Sequence, residues 1–323
     1  MEAQVTHPVQ VLREHTVALE AALTVCLADP ATKPVHRLRT ETRRVEAQLL
    51  LLTQMPALPE HRKETERLRH ALKRLRQAAG EVRDLDVQRK RLEEMADGEA
   101  EGADELTATA EGGEDGRSTA KAVRDGAAAL RDYLKSKREN AAKGLQDLLE
   151  KHGSKAARAA EKLLAVLEPA EETPLAEDEL LRQAEAVFAH SGLLAEGVPG
   201  DLDEDELHTV RKAAKAARYL AETLPGADGK EGGKSAGAVA ASRFEALQEA
   251  GGQWHDALEL AKAAKSFLGR RHELTEAIAA ERGRHLESYR KALAGEAMAG
   301  EATAGQAAPG LKAKRDGPAR PVK

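Results

Sequence analysis

Three observations predict an all-α fold built as two tandem four-helix bundles. Leu and Ala supply nearly all the apolar surface, while Phe, Tyr and Trp make up 2% of the chain, a balance that favours helices over strands. Apolar residues recur at helical spacing through most of the 323 residues. The order of segments in the first half also returns in the second at a constant offset, which is expected of an internal duplication with roughly four helices in each copy.

Each element follows from its own pattern. Val11, Thr16, Leu19, Leu23 and Leu27 mark a first helix. Leu38, Thr42, Val45, Leu49 and Leu52 mark a second over 35–52, with Pro34 before it and Pro56 and Pro59 after it as punctuation. Leu68, Leu72, Leu75, Ala79 and Val82 line a third that continues to about Met95. A long helical stretch, expected to be broken once, runs from about Ser118 to Leu167, and Pro169 and Pro174 close it. The second half predicts helices at about 175–195, from Asp205 to Leu224, at about 238–267, and a last one to about Leu293. No strand of convincing length stands out. The expected organisation is a first half over 1–170 with an acidic low-complexity insertion at 96–117, a second half over 171–295, and a disordered tail over 296–323.

The net charge of −5 conceals a basic body. Residues 96–116 hold eight acids and no base, residues 196–206 six acids and no base, and the tail five bases against three acids. The remainder therefore carries +7. Cys26 is the only cysteine, so no disulfide forms within the chain and a reducing compartment is the expectation. Its apolar neighbours predict a buried, inert thiol. The first residues lack the apolar run of a signal peptide, and no stretch approaches the roughly 18–20 apolar residues of a membrane span. A soluble, cytoplasmic protein with no membrane partner is expected.

The duplication is read from two separated matches that share one register. V35-H36-R37-L38-R39 and L207-H208-T209-V210-R211 lie 172 residues apart. At the same offset Leu75, Gly80 and Asp84 fall on Leu247, Gly252 and Asp256, while Arg83 falls on His255 and Arg43 on Lys215. At about 100° per residue, His36, Arg39 and Arg43 share an arc of about 60°. His208, Arg211 and Lys215 occupy the equivalent arc, with Lys212 and Arg218 at its edges. Arg69, Lys73, Arg76 and Arg83 share the face of the third helix opposite its leucines. No acid lies between Glu66 and Glu81 or between Glu206 and Glu222, although like charges at this spacing repel. A run of charge is most often a solvated face. Its recurrence in both halves points instead to a polyanion site, with Asp84 and Asp256 in a supporting role, orienting the bases beside them. Trp254 is expected to be core filler.

These residues resemble the CHAD domain, the conserved histidine α-helical domain. VHRLRTETRR and LRHALKRLRQAAGEVRDLDV carry the likeness in the first half, LHTVRKAAKAARYL and LQEAGGQWHDALEL in the second, and it spans about residues 5–293. The resemblance implies two four-helix bundles about a pseudo-twofold axis, whose basic faces line a shared groove or pore. It also implies binding of inorganic polyphosphate and association with polyphosphate granules. The residues placed at that site are His36, Arg39, Arg43, Arg44, Arg69, Lys73, Arg76, Arg83, His208, Arg211, Lys212, Lys215, Arg218 and His255. The chain departs from the pattern at Ala216, which stands opposite Arg44, and in the acidic insertion, which could shield the groove. It also lacks the E-x-E-x-K strand of the CYTH triphosphatase domain often joined to this family, so a non-catalytic binding module is expected, with no cofactor.

The chemistry agrees. Polyphosphate presents closely spaced charge and no base to stack, so it calls for rows of Arg and Lys with little aromatic surface, unlike single-stranded nucleic acid. Histidine adds a donor whose charge is set by its surroundings near neutral pH. Three rivals are less favoured. His36, His208 and His255 could converge on a metal, but cationic neighbours oppose a divalent ion and no H-x-x-x-H pair or cysteine cluster is present. Nucleic acid or another polyanion could use the same surface. Hydrolysis would need carboxylates beside the bases to hold Mg²⁺, and the acids at 201–206 are expected in a solvated loop.

Overall fold

The computed structural model of the chain describes residues 5–97, 114–189, 202–224 and 236–306. Eight helices dominate these residues. Helices α1 (Pro8–Ala28), α2 (Thr32–Leu52), α3 (Arg62–Asp97) and α4 (Glu114–Leu167) form the first half. Helices α5 (Glu177–Ala189), α6 (Glu204–Ala221), α7 (Ala236–Phe267) and α8 (Glu273–Gln306) form the second. The all-α expectation is met. Two short strands, β1 (Val5–Thr6) and β2 (Leu175–Ala176), pair antiparallel and tie the start of α1 to the entrance of α5.

Local chemistry sets the boundaries. Pro8 opens α1 at its first turn, where the missing N–H has no intrahelical partner in any case. Pro34 lies inside α2 and does not precede it. It is tolerated because it falls in the first turn, and the helical bonding begins with Val35 N donating to Ala31 O at 3.1 Å. Helix α6 begins with a capping box: Glu206 N donates to Asp203 Oδ1 at 2.9 Å, and Asp203 N donates to Glu206 Oε2 at 2.8 Å. The acids at 203–206, expected in a solvated loop, are thus a helix start whose carboxylates complement the positive end of the helix dipole.

Helix α4 is continuous over 54 residues, about 80 Å, and is not broken. Gly126, Gly144 and Gly153 each weaken a helix by about 0.5–1 kcal/mol. The buried stripe Ala127, Leu130, Leu134, Ala142, Leu145, Leu149, Ala156, Ala160, Leu163 and Leu167 outweighs them. Gly126 has its own reason, since a Cβ there would collide with the His272 ring. Helix α8 also runs past the expected boundary, to Gln306. Helices α3 and α4 reach to Asp97 and from Glu114, so 98–113 of the insertion, with 190–201, 225–235 and 307–323, fall outside the described residues.

Three apolar cores hold the helices. The first joins α1, α2, α3 and the latter part of α4 through Leu12, Leu38, Leu49, Leu72, Leu145 and Leu163, and it encloses Cys26. Burial pushes the Cys26 thiol up to about 11, so it is inert at neutral pH. The second joins α5–α8 through Leu180, Val210, Phe244, Leu258 and Tyr289, and takes in Ala47 and Leu51 from α2. Trp254 is 2% exposed within it, as expected for core filler. The third spans both halves: Leu85 and Leu92 of α3 meet Leu130 and Leu134 of α4, Leu260 of α7, and Leu274 and Ile278 of α8. Arg138 of α4 reinforces the first half, donating to Asp86 Oδ1 at 3.0 Å and to Pro30 O at 2.7 Å. Through the second and third cores, α2 and α3 are fixed against α6 and α7.

Leu130 is fully buried in the core the halves share. Leu130→Ala is expected to lose about 2–5 kcal/mol of stability, measured by denaturant unfolding. A loss below about 1 kcal/mol would show that this core does not hold the halves together.

Candidate anion-binding groove

Helices α2 and α6 run beside each other at the junction, with α3 and α7 flanking them. The heptad-like stripes that bury Leu38, Val45 and Leu49 on α2, and Val210, Ala214 and Ala217 on α6, leave the basic residues between them on faces turned to one another. Two connected cavities result. The wider, of about 630 Å³, is lined by His36, Arg39, Arg44, Arg83, Asp84, Arg211, Lys215, Arg218 and Asp256 among others. The narrower, of about 350 Å³, is lined by Arg43, Arg69, Lys73, Arg76, Lys212 and Lys215. Lys215 and Tyr219 line both. Twelve of the fourteen residues singled out in the sequence therefore meet on one continuous surface.

His208 and His255 do not join it. The two rings pack edge to face at 4.8 Å, and His208 lies 4.9 Å from the Trp254 ring. Burial, then Arg211 and His208, press His255 down to about 3, so it is neutral in the free protein. Its Nδ1 has no hydrogen-bond partner. The arc shared with Arg211 placed His208 on the groove side, but Trp254 draws it to the flank of α7. His36 does reach the wider cavity. Partial desolvation, then Arg83, Arg39 and Lys215, hold its pKa below the ordinary value, and His208 is likewise lowered by desolvation, Arg211 and Lys212.

The group set to titrate near neutrality is instead Lys215. Loss of water, then Arg39, Arg43, Arg211 and Arg218 around it, lowers its pKa to about 7. Tyr219, one turn on, is buried and its phenol is raised by that burial and by Glu222.

The basic faces are partly relieved by acids, some one turn along the same helix and some from neighbouring elements. Glu46 accepts two bonds of 2.6 Å from Arg76 and lies 3.6 Å from Arg43. Glu222 pairs with Arg218 at 3.0 Å and Arg44 at 3.4 Å, and Glu245 with Arg218 at 2.9 Å. Arg44 also pairs with Glu41 at 2.9 Å. Asp84 lies 3.7 Å from Arg39. Asp84 and Asp256 line the same cavity, and burial, in part offset by the arginines, raises the pKa of both. Asp84 thus lies beside one base, and Asp256 shares its wall. The i,i+3 pair Arg43–Glu46 and the i,i+4 pair Arg218–Glu222 were the available signals for the missed acids. Among the described residues Arg69, Lys73, Lys212 and Lys215 make no ion pair.

Glycine shapes the walls. A Cβ at Gly251 would press on the Tyr289 ring at 2.9 Å and on Arg211 Cγ at 3.1 Å, so its absence lets Arg211 pass over α7 into the groove. Gly80 and Gly252 have nothing within 4 Å of a Cβ position, and Gly252 forms bare wall of the wider cavity. Among the described residues no group of three or more His, Cys, Asp or Glu could hold a metal ion, and no helix is long and apolar enough to cross a membrane.

Fold and site together define an all-α protein with an Arg- and Lys-lined groove at the junction of two helical halves. The family model of the CHAD domain matches residues 10–265, and the chain belongs to that family. The match ends close to the end of α7, short of the 5–293 expected from the motifs. Among solved structures the chain is similar to the CHAD domain of the plant Ricinus communis, at 15% identity and a TM-score of 0.53, covering 91% of this chain and 93% of that one. It is similar too to PptA from Streptomyces chartreusis, at 18% identity and a TM-score of 0.53, covering 91% and 98%. At such identities the likeness is one of fold. A search of curated proteins finds no match.

The crowding at Lys215 has a measurable consequence for the free protein. Its folded pKa of about 7 lies below the ordinary lysine value of 10.5, so between these values the unfolded chain binds more protons. Stability is therefore expected to rise with pH from about 7 towards 10, and Lys215→Met should flatten that rise. Denaturant midpoints across the range test this. An equal slope in both proteins would mean that Lys215 is not desolvated by its neighbours.

Proposed function

We propose that the groove binds inorganic polyphosphate without chemical turnover. One observation carries this reading: the two cavities share Lys215 and present eleven Arg and Lys side chains against six carboxylates along one lining. An excess of cations arranged over an extended surface suits a repeating anion. Among the described residues, Tyr219 is the only Phe, Tyr or Trp that borders it, which disfavours ligands held by base stacking. Arg supplies paired donors to phosphate oxygens and Lys a mobile point charge.

The carboxylates of the lining support binding over hydrolysis. Glu46, Glu222, Glu245 and Asp84 each lie against an arginine, an arrangement that orients bases and opposes a Mg²⁺ ion. Two adjoining cavities that share Lys215 and Tyr219 can take an internal stretch of a long chain, and association with polyphosphate granules would follow from the same contacts.

Lys73 and Lys212 are exposed, on opposite walls, and without an ion pair among the described residues. Lys73→Glu with Lys212→Glu should leave helicity intact and weaken polyphosphate binding by at least about tenfold per site, since each lost charge-assisted contact is worth roughly 1.5–3 kcal/mol. Wild-type affinity should fall about linearly against log salt, and RNA of equal charge should compete poorly. Unchanged affinity in the folded double variant, or RNA displacing polyphosphate at equal charge, would contradict the reading.

A further inference from the structure

The positive surface does not stop at the groove. Arg69 and Lys73 of α3 line the narrower cavity, and the next residue after Lys73, turned about 100° around the helix, is Arg74. Arg74 is exposed where α3 packs along α4, with Leu72 and Leu75 in one core with Leu145 and Leu149; across that seam partial desolvation, then Lys155, Arg74 and Lys151, lower the pKa of the partly exposed His152. Lys151 and Lys155 are exposed one turn apart on α4. Among the described residues none of Lys73, Arg74, Lys151 and Lys155 makes an ion pair, in contrast to the arginines deeper in the groove. The carboxylates of Asp147 and Glu150, also exposed beside Lys151, do not close on these cations. Between the two lysines Gly153 has nothing within 4 Å of a Cβ position, so the backbone of α4 is bare where a chain would cross it.

From these placements we infer that a long polyphosphate chain leaves the narrower cavity over the ridge of α3 and continues onto Arg74, Lys151 and Lys155. The inference rests on the groove being a polyphosphate site and assigns to this second patch the discrimination between long and short chains. Unpaired cations on a convex surface repel one another and are relieved by a flexible anion. Each phosphate held there displaces further counterions, so the patch adds to salt sensitivity as well as to affinity. A short anion fills the cavity and never reaches α4.

The test compares tripolyphosphate with long-chain polyphosphate on the full chain and on a variant carrying Arg74→Glu, Lys151→Glu and Lys155→Glu. The expected result is unchanged affinity for tripolyphosphate, an affinity for the long chain reduced at least about tenfold, and a shallower slope against log salt for the long chain alone. A Gln triple variant at the same positions, which adds no new charge, should lose long-chain affinity in the same direction by a smaller factor. If the wild type binds neither probe, the groove reading itself fails. If it binds both and the Glu variant keeps full long-chain affinity, the track is wrong. Equal loss for both probes would mean that the patch acts only through its long-range field, and loss of RNA binding with long-chain binding intact would assign it to nucleic acid. Either result overturns the inference.

Discussion

The structure turns on the crowding of cations around Lys215. Arg39 and Arg43 from α2 and Arg211 and Arg218 from α6 all act on one half-buried ammonium. In a free protein this arrangement is unfavourable, because each charge loses water and gains like-charged neighbours. It persists because the apolar faces of the same helices are committed elsewhere. Val35, Leu38, Val45 and Leu49 are fully buried on α2, as are Val210, Ala214 and Ala217 on α6, and turning either helix to disperse the charge would expose them.

Two devices moderate the repulsion without removing it. Acids from other turns and other helices clamp the arginines: Glu46 holds Arg43 and Arg76, while Glu222 holds Arg44 and Arg218. Proton release from Lys215 removes a charge at the most crowded point. What is left over, chiefly Arg69, Lys73 and Lys212, faces solvent at the rim. The groove thus has a fixed, clamped interior and an unclamped edge, which suits a ligand that needs both orientation and length.

Much of this was legible in the sequence because it depends on local periodicity. The leucine stripes of α1–α3, the opposing basic faces and the tandem H-x-x-R helices follow from spacing alone, and twelve of fourteen proposed site residues do line the groove. What was not legible depends on partners distant in sequence. His208 shares an arc with Arg211, yet its place is decided by Trp254 and His255 of α7. The third core draws leucines from four helices, and no single stripe announces it. Helix α4 passes through Gly126, Gly144 and Gly153 because its buried stripe resumes after each of them. The Asp203/Glu206 capping box was written in the sequence and hidden by the surrounding run of acids.

If polyphosphate is the ligand for which this charge is held together, its oxygens should return Lys215 to the charged state, since an opposite charge close by favours protonation. The most direct measurement is calorimetric titration of long-chain polyphosphate at pH 8 in two buffers of different ionisation enthalpy, for the wild type and Lys215→Met. Terminal phosphates are few in a long chain and already ionised at that pH. Binding accompanied by proton uptake in the wild type, and by clearly less uptake in the variant, is the predicted result. Absence of binding, or binding with the same proton count in both proteins, would contradict the claim that a polyanion relieves the crowded groove.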